Sequence, residues 1–153
     1  MDNQKMLYSL KISIKELSNE ISLILDNNRI EDKNSLYKKI GDVLHWIYDC
    51  IEKLDDSNLS SEENDYITAF RGAANAQKHS KIELNFDDFI NCAMFPFSLP
   101  AVFSDKGLFN WKILPNNIIR YENQIKKYND LLANHNIIDS LKIIENIIEK
   151  NLI

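Results

Sequence analysis

Apolar residues recur every three or four positions along most of the chain, and this spacing predicts amphipathic α-helices. The first helix is predicted from Asp2 to about Asp26, and the second is predicted to open near Ser35. The inward stripes consist of Met6, Leu10, Ile14, Leu17, Ile21 and Ile24 in the first helix, and of Leu36, Ile40, Val43, Leu44, Ile47, Ile51 and Leu54 in the second. Short polar residues at 55–58 end the second pattern, because such side chains bond their own backbone.

A capping-box pattern predicts the start of a third helix, since Ser60 is followed three residues later by Glu63. This helix is predicted to run to about His79. Its core-facing positions are predicted to be Tyr66, Ile67, Phe70, Ala73, Ala74 and Gln77. Gly72 costs about 1 kcal/mol of helix propensity relative to alanine. We expect this glycine to mark either the close approach of another backbone or room for a ligand.

Between about residues 81 and 115 the pattern becomes extended and contains prolines. Three apolar residues alternate with polar ones, as in a short strand: Ile82, Leu84 and Phe86. Residues 108–114 have the pattern of a returning strand, and the prolines of the intervening segment Met94–Phe103 exclude a helix interior. We therefore expect an irregular β-hairpin over one side of the bundle. The apolar Met94–Phe103 segment is either a lid that completes the core or a surface for a partner.

Two further helices are predicted after the hairpin. The fourth has apolar and aromatic residues at helical spacing, namely Ile118, Tyr121, Ile125, Tyr128 and Leu132. Residues 134–136 form the expected break before a fifth helix, from Ile137 to about Asn151. The fifth helix has a wide apolar arc, so it either lies centrally or meets a partner chain. The prediction is one mainly α domain over residues 1–153, an up-and-down bundle of about five helices with a β-hairpin inserted between the third and fourth helices.

Composition and charge narrow the classes of function. The chain has 153 residues, of which 44% are hydrophobic and 27% charged, as is usual for a globular protein. Its formal net charge of −5 argues against binding of nucleic acid through overall charge. A local basic patch remains, formed by Arg71, Lys78, His79 and Lys81.

Several other classes lack a sequence signal. No glycine-rich phosphate loop and no metal-ligand spacing is present, so we expect neither a cofactor nor a metal. Cys50 and Cys92 suggest no disulfide framework. With no signal peptide and no membrane span in the pattern, we expect a cytoplasmic protein.

Candidate chemistry lies in the third helix. Arg71, Asn75 and His79 recur every fourth residue. Because successive helical residues are about 100° apart, they are predicted to stack along one side, with Lys78 nearby. Metal-independent RNA cleavage needs a base for the ribose 2′-hydroxyl and a cation for the charge on the phosphorus oxygens. An imidazole that titrates near neutrality and a guanidinium are groups of this kind.

This arrangement resembles the HEPN superfamily, small all-α proteins that include RNase toxins and phage-defence effectors. The resemblance implies a homodimer in which both copies line one cleft. It assigns stabilisation of the scissile phosphate to Arg71 and acid or base action to His79. Asn75, Lys78 and Lys81 are the accompanying candidates for RNA binding. The run from residue 70 to 79, with Phe-Pro-Phe and a Trp-containing strand after it, also looks like uncharacterised proteins from Gram-positive bacteria.

A structural role is the alternative explanation for the same residues. Arg71 could pair with Asp65 or with an acid on another helix, and His79 could bond the last carbonyls of its own helix, as cations at a helix C-terminus do. Two functions therefore remain open. The first is an RNA-binding or metal-independent ribonuclease effector that works as a homodimer, with an antitoxin as a candidate partner. The second is a non-catalytic helical protein-interaction module.

The other histidines are weaker candidates. His45 lies between Asp42 and Asp49 in the second helix, where we expect an exposed charge ladder. It could also approach His79 across a helix pair. His135 is expected in a solvated turn.

Overall fold

The computed structural model describes residues 1–27, 32–79, 90–92, 109–115 and 121–152, and in residues 79 and 90–92 the backbone alone. The helices are α1 (Asn3–Asn27), α2 (Lys33–Ile51), α3 (Ser61–His79), α4 (Glu122–Leu131) and α5 (Ile137–Leu152). A 3₁₀ turn spans Asp56–Asn58, and β1 (Ile90–Cys92) pairs with β2 (Phe109–Trp111). The predicted mainly helical bundle is confirmed. The predicted strand at 82–86, the Met94–Phe103 segment, Lys81 and Ile118 lie outside the described residues.

Neighbouring helices run antiparallel, as contacts between α2 and α3 illustrate. Near the middle of α2, Gly41 faces Gln77, which lies near the end of α3. Just beyond the end of α2, Glu52 pairs with Arg71. Residue numbers in α3 therefore decrease as those in α2 increase, so the two helices run in opposite directions. This ordering supports the predicted up-and-down arrangement.

The helix ends form where local sequence favours them. The predicted capping box is present, because the Ser60 amide donates to Glu63 Oε2 at 3.0 Å and the Glu63 amide donates to Ser60 Oγ at 3.1 Å. Asp32 caps α2 by accepting two backbone N–H bonds. At the predicted break between α4 and α5, Asn134 has a left-handed φ of 63°, and Asn136 Oδ1 accepts from the Asp139 amide. Asparagine tolerates that backbone region better than most residues.

Helix α5 lies centrally in the bundle. It contacts α1, α2, α3 and strand β2. Its buried residues are Ile137, Ser140, Leu141, Ile144, Ile147, Ile148 and Leu152. Contact with three helices accounts for the wide apolar arc, as the first of its two predicted explanations requires, whereas contact with a partner chain stays a prediction.

The short β-ladder is anchored to the bundle by Trp111. This residue is fully buried, and its ring meets Phe70 of α3 edge-on at 6.3 Å between centroids and Tyr128 of α4 at 6.4 Å. The Tyr128 hydroxyl donates to the Lys112 carbonyl at 2.7 Å, and burial raises the pKa of Tyr128 far above its usual value. The ladder thereby joins α3 to α4.

Candidate functional site

Arg71 lies where α3 meets the end of α2. Its Nη2 is 3.3 Å from Glu52 Oε1, and its side chain is 28% exposed. The partner is thus an acid on another element, whereas Asp65 pairs instead with Lys127 at 3.0 Å. The guanidinium is held by one ion pair and still reaches the surface.

Asn75, which lies between Arg71 and His79 on the predicted side of α3, is buried. Only 6% of it is exposed, and its Nδ2 donates to Gln124 Oε1 of α4 at 2.8 Å. The amide therefore joins two helices inside the protein. Helix α4 thus covers Asn75, which the sequence suggested as an accompanying candidate for RNA binding.

Close packing of α4 on α3 depends on small residues. A Cβ added to Gly72 would lie 2.5 Å from the main-chain oxygen of Gln124. Of the two explanations predicted for this glycine, the close approach of another backbone is confirmed. Helix α3 is buried on more than one side, at Ile67, Ala69, Phe70, Ala73, Ala74, Asn75 and Ala76.

Lys78 and His79 lie at the C-terminal end of α3. Lys78 is exposed, and its Nζ lies 5.7 Å from the centroid of the Tyr48 ring on α2, within the range of a cation–π contact. His79 ends α3, but its side chain, like the whole of Lys81, lies outside the described part of the structure. The roles predicted for His79 and Lys81 stay predictions.

A cleft of about 190 Å³ opens between α2 and α3. Its lining consists of His45 and Tyr48 from α2 and of Ala74, Gln77 and Lys78 from α3. Imidazole, phenol, amide and ammonium groups thus converge on one opening. The structure brings His45 to the Lys78 end of α3, which sequence reasoning could raise only as an option.

His45 also belongs to the predicted charge ladder. Its Nε2 is 3.5 Å from Asp49 Oδ2, and the side chain is 60% exposed. The imidazole ring lies 5.4 Å from the Trp46 ring, at an interplanar angle of 60°. On this side His45 borders a second, shallower depression of about 420 Å³, lined also by Met6, Trp46 and Lys53.

Gln77, which the sequence pattern assigned to the core alone, also lines the cleft between α2 and α3. Its side chain is half-buried, and Nε2 would lie 2.8 Å from a Cβ added to Gly41. The missing side chain of Gly41 thus leaves room for the amide against the backbone of α2. Among the residues that the structure describes, no hydrogen bond is formed by this amide. In the sequence, the signal for this close approach was Gly41, a glycine in the interior of α2.

Another depression, of about 640 Å³, lies near the end of α1 and the start of α2. Its charged lining is mainly carboxylate, from Glu16, Glu20 and Asp32, with Lys39 placed 2.7 Å from Glu20 Oε2. Because carboxylates repel phosphate, this surface is not a candidate for RNA.

The described residues also bear on metal binding, membrane insertion and thiol chemistry. Within the described ranges, no group of three or more His, Cys, Asp or Glu side chains is arranged to hold a metal ion. Among the described helices, none combines the length and the apolar character needed to cross a bilayer. Cys50 is buried, and burial raises the pKa of its thiol to about 11, so it is protonated at neutral pH.

No protein-family model, no curated protein and no solved structure matches this chain.

Proposed function

We propose that this chain binds RNA along the edge where α2 meets α3, and that it acts as a HEPN-like, metal-independent ribonuclease effector when two copies associate. One observation carries the proposal. Arg71, Lys78 and His45 reach the surface along the same helix pair, and the last two line one cleft. Arg71 and Lys78 are two turns apart, about 10 Å along the axis of α3.

The two cations are available to phosphate to different degrees. Lys78 has no carboxylate partner within the described residues, and its contact is the Tyr48 ring. Arg71 is paired with Glu52, whose side chain is 49% exposed. Exposed ion pairs contribute only about 0–1 kcal/mol, so a phosphate can replace this carboxylate at little cost.

Cleavage would need a base and a cation at one phosphodiester. In the proposed reaction His79 accepts the proton of the 2′-hydroxyl, whose oxygen attacks phosphorus, and the bond to the 5′-oxygen breaks as that oxygen takes up a proton from water. The products are a 2′,3′-cyclic phosphate and a 5′-hydroxyl. Arg71 would stabilise the extra charge on the phosphorus oxygens, and a second copy of the chain would complete the cleft.

Binding is tested by fluorescence anisotropy of a labelled single-stranded RNA at several salt concentrations. Lys78→Ala and Arg71→Ala are each expected to weaken binding and to reduce the salt slope by about 0.7, the value for one phosphate contact on a single strand. Glu52→Gln is the matched control, because it removes the same ion pair but keeps the guanidinium. We expect this control to bind RNA at least as tightly as the wild type.

Cleavage and dimerisation are tested on the same proteins. We expect wild-type protein to cut RNA with a chelator present and to leave 2′,3′-cyclic ends, with activity lost in Arg71→Ala and His79→Ala. Sedimentation should show a homodimer. A wild type that neither binds nor cuts RNA would refute the proposal.

The second candidate is a non-catalytic helical interaction module. It is favoured by the internal bond of Asn75 to Gln124 and by the ion pair of Arg71. If Arg71 is only structural, Arg71→Ala and Glu52→Gln should lower the free energy of unfolding equally. The wild type should then be inert toward RNA.

A further inference from the structure

We infer that the cleft between α2 and α3 is a nucleobase-binding subsite, in which the Gln77 amide contacts the edge of one base and Lys78 the adjoining phosphate. This inference rests on the proposed RNA-binding function. It adds that the site distinguishes one base of the RNA from the others. It uses side chains that the proposed cleavage does not require.

The size of the cleft favours part of a polymer over a free small molecule. Sites that enclose a whole small molecule are commonly about 300–1,000 Å³, and this cleft is about 190 Å³. One flat group can enter while the rest of the ligand follows the surface. Single-stranded RNA is recognised in this way, because unstacked bases turn out of the strand into protein sites.

The chemical groups that line the cleft indicate which of them binds the base and which binds the phosphate. A glutamine amide offers two donors and an acceptor, which match the paired donors and acceptors on the edge of a base. A phosphate only accepts, so it is suited to Lys78, whose ammonium has donors and no acceptor. Both groups line the same opening.

The Gln77 amide lies against the backbone of α2 at Gly41. Gln77 Nε2 lies where a Cβ on Gly41 would be only 2.8 Å away. Any side chain at position 41 would therefore displace the amide from its place in the cleft. At the mouth, the imidazole of His45 offers a ring on which a base can stack.

The test compares single-stranded RNAs of equal length and different base, because these present the same number of phosphates. Two variants change the amide. Gln77→Met keeps the approximate length of the side chain but removes the amide. Gly41→Ala keeps the amide and moves it, while raising helix propensity, so the fold should be retained. Urea unfolding of each variant checks this.

We expect the wild type to prefer one base. In both variants the affinity ratio between the best and the worst base should fall by about 5-fold or more, the discrimination that one good bidentate pair supplies. The salt slope should not change. Lys78→Ala should instead weaken binding to every RNA alike.

Two results would overturn the inference, and they differ in meaning. If the wild type binds all the RNAs equally, or if Gln77→Met keeps the full discrimination, the subsite is absent although RNA binding stands. If the wild type binds none of them, the inference fails together with the proposed function.

Discussion

Replacing Gly72 with alanine probes the tightest contact between α3 and α4. The new Cβ would lie 2.5 Å from the main-chain oxygen of Gln124 and 2.9 Å from its carbonyl carbon, whereas real Cβ contacts essentially never fall below 3.0 Å. The opposing atoms belong to the backbone, so no side chain can rotate away. Helix α4 must therefore withdraw by about half an ångström or more, a small but whole-helix movement.

The expected loss of stability follows from three effects. Alanine gains about 1 kcal/mol of helix propensity over glycine. Overpacking costs about 1–3 kcal/mol. Withdrawal of α4 also stretches the 2.8 Å bond from Asn75 to Gln124, and leaving such a buried group unsatisfied costs about 1–3 kcal/mol. We therefore expect Gly72→Ala to lower the free energy of unfolding by about 1–5 kcal/mol, which is a fall in Tm of roughly 2–20 °C.

Urea unfolding followed by circular dichroism measures this effect, with Gly41→Ala as the matched control. There the opposing atom is Nε2 of Gln77, the end of a flexible side chain that can swing aside. Gly41→Ala should therefore be neutral or stabilising by up to about 1 kcal/mol. Equal stability of the two variants, or a Gly72→Ala protein as stable as the wild type, would show that α4 does not press on this glycine.

Three further outcomes are expected. Asn75→Ala should lower the free energy of unfolding by about 1–3 kcal/mol in urea, with RNA affinity unchanged, because its amide is internal. Trp111→Ala should lower it by about 3–5 kcal/mol. Lys150 and the Ser60 amide lower the pKa of Glu63, so wild-type stability should fall as pH drops from about 4.5 through the folded pKa. Glu63→Gln, which can still form the capping box, should lack this component of the fall in pH-dependent unfolding.

The helices and their ends could be predicted because their causes are local. The Ser60–Glu63 pair was predicted as a capping box and forms one. Residues 134–136 were predicted as a break, and Asn134 adopts the left-handed conformation there. Periodicity likewise identified most of the buried residues of α1 and α2, since a stripe of apolar residues can face only one way.

The covered side of α3 could not be predicted because it depends on where α4 lies. Asn75 reads as solvated when α3 is considered alone, yet α4 encloses it. The signal was present in the small residues of α3, among them Ala69, Gly72 and Ala76. Such residues allow a second helix to approach closely, but they do not say from which direction it comes.

The position of His45 needed the register between two helices. Sequence spacing places His45 near Asp49 in the same helix, and this contact is present. That the imidazole also lines a cleft with Gln77 and Lys78 follows from the alignment of α2 with α3. Periodicity within one helix contains no information on that alignment.

The RNA binding proposed for this acidic protein would have to rest on local charge, and the ion pairs of the chain bear on that requirement. Several lysines already face carboxylates away from the proposed edge, namely Lys11 with Glu149, Lys39 with Glu20, Lys127 with Asp65 and Lys150 with Glu63. Lys78 has none among the described residues, and Arg71 has only an exposed one. Because screening limits the reach of exposed charges to about 8 Å at physiological salt, phosphate at this edge responds to these two cations more than to the net charge of −5. RNA affinity should therefore follow the charge at positions 71 and 78, and neutralising a distant carboxylate such as Glu149 should leave it unchanged.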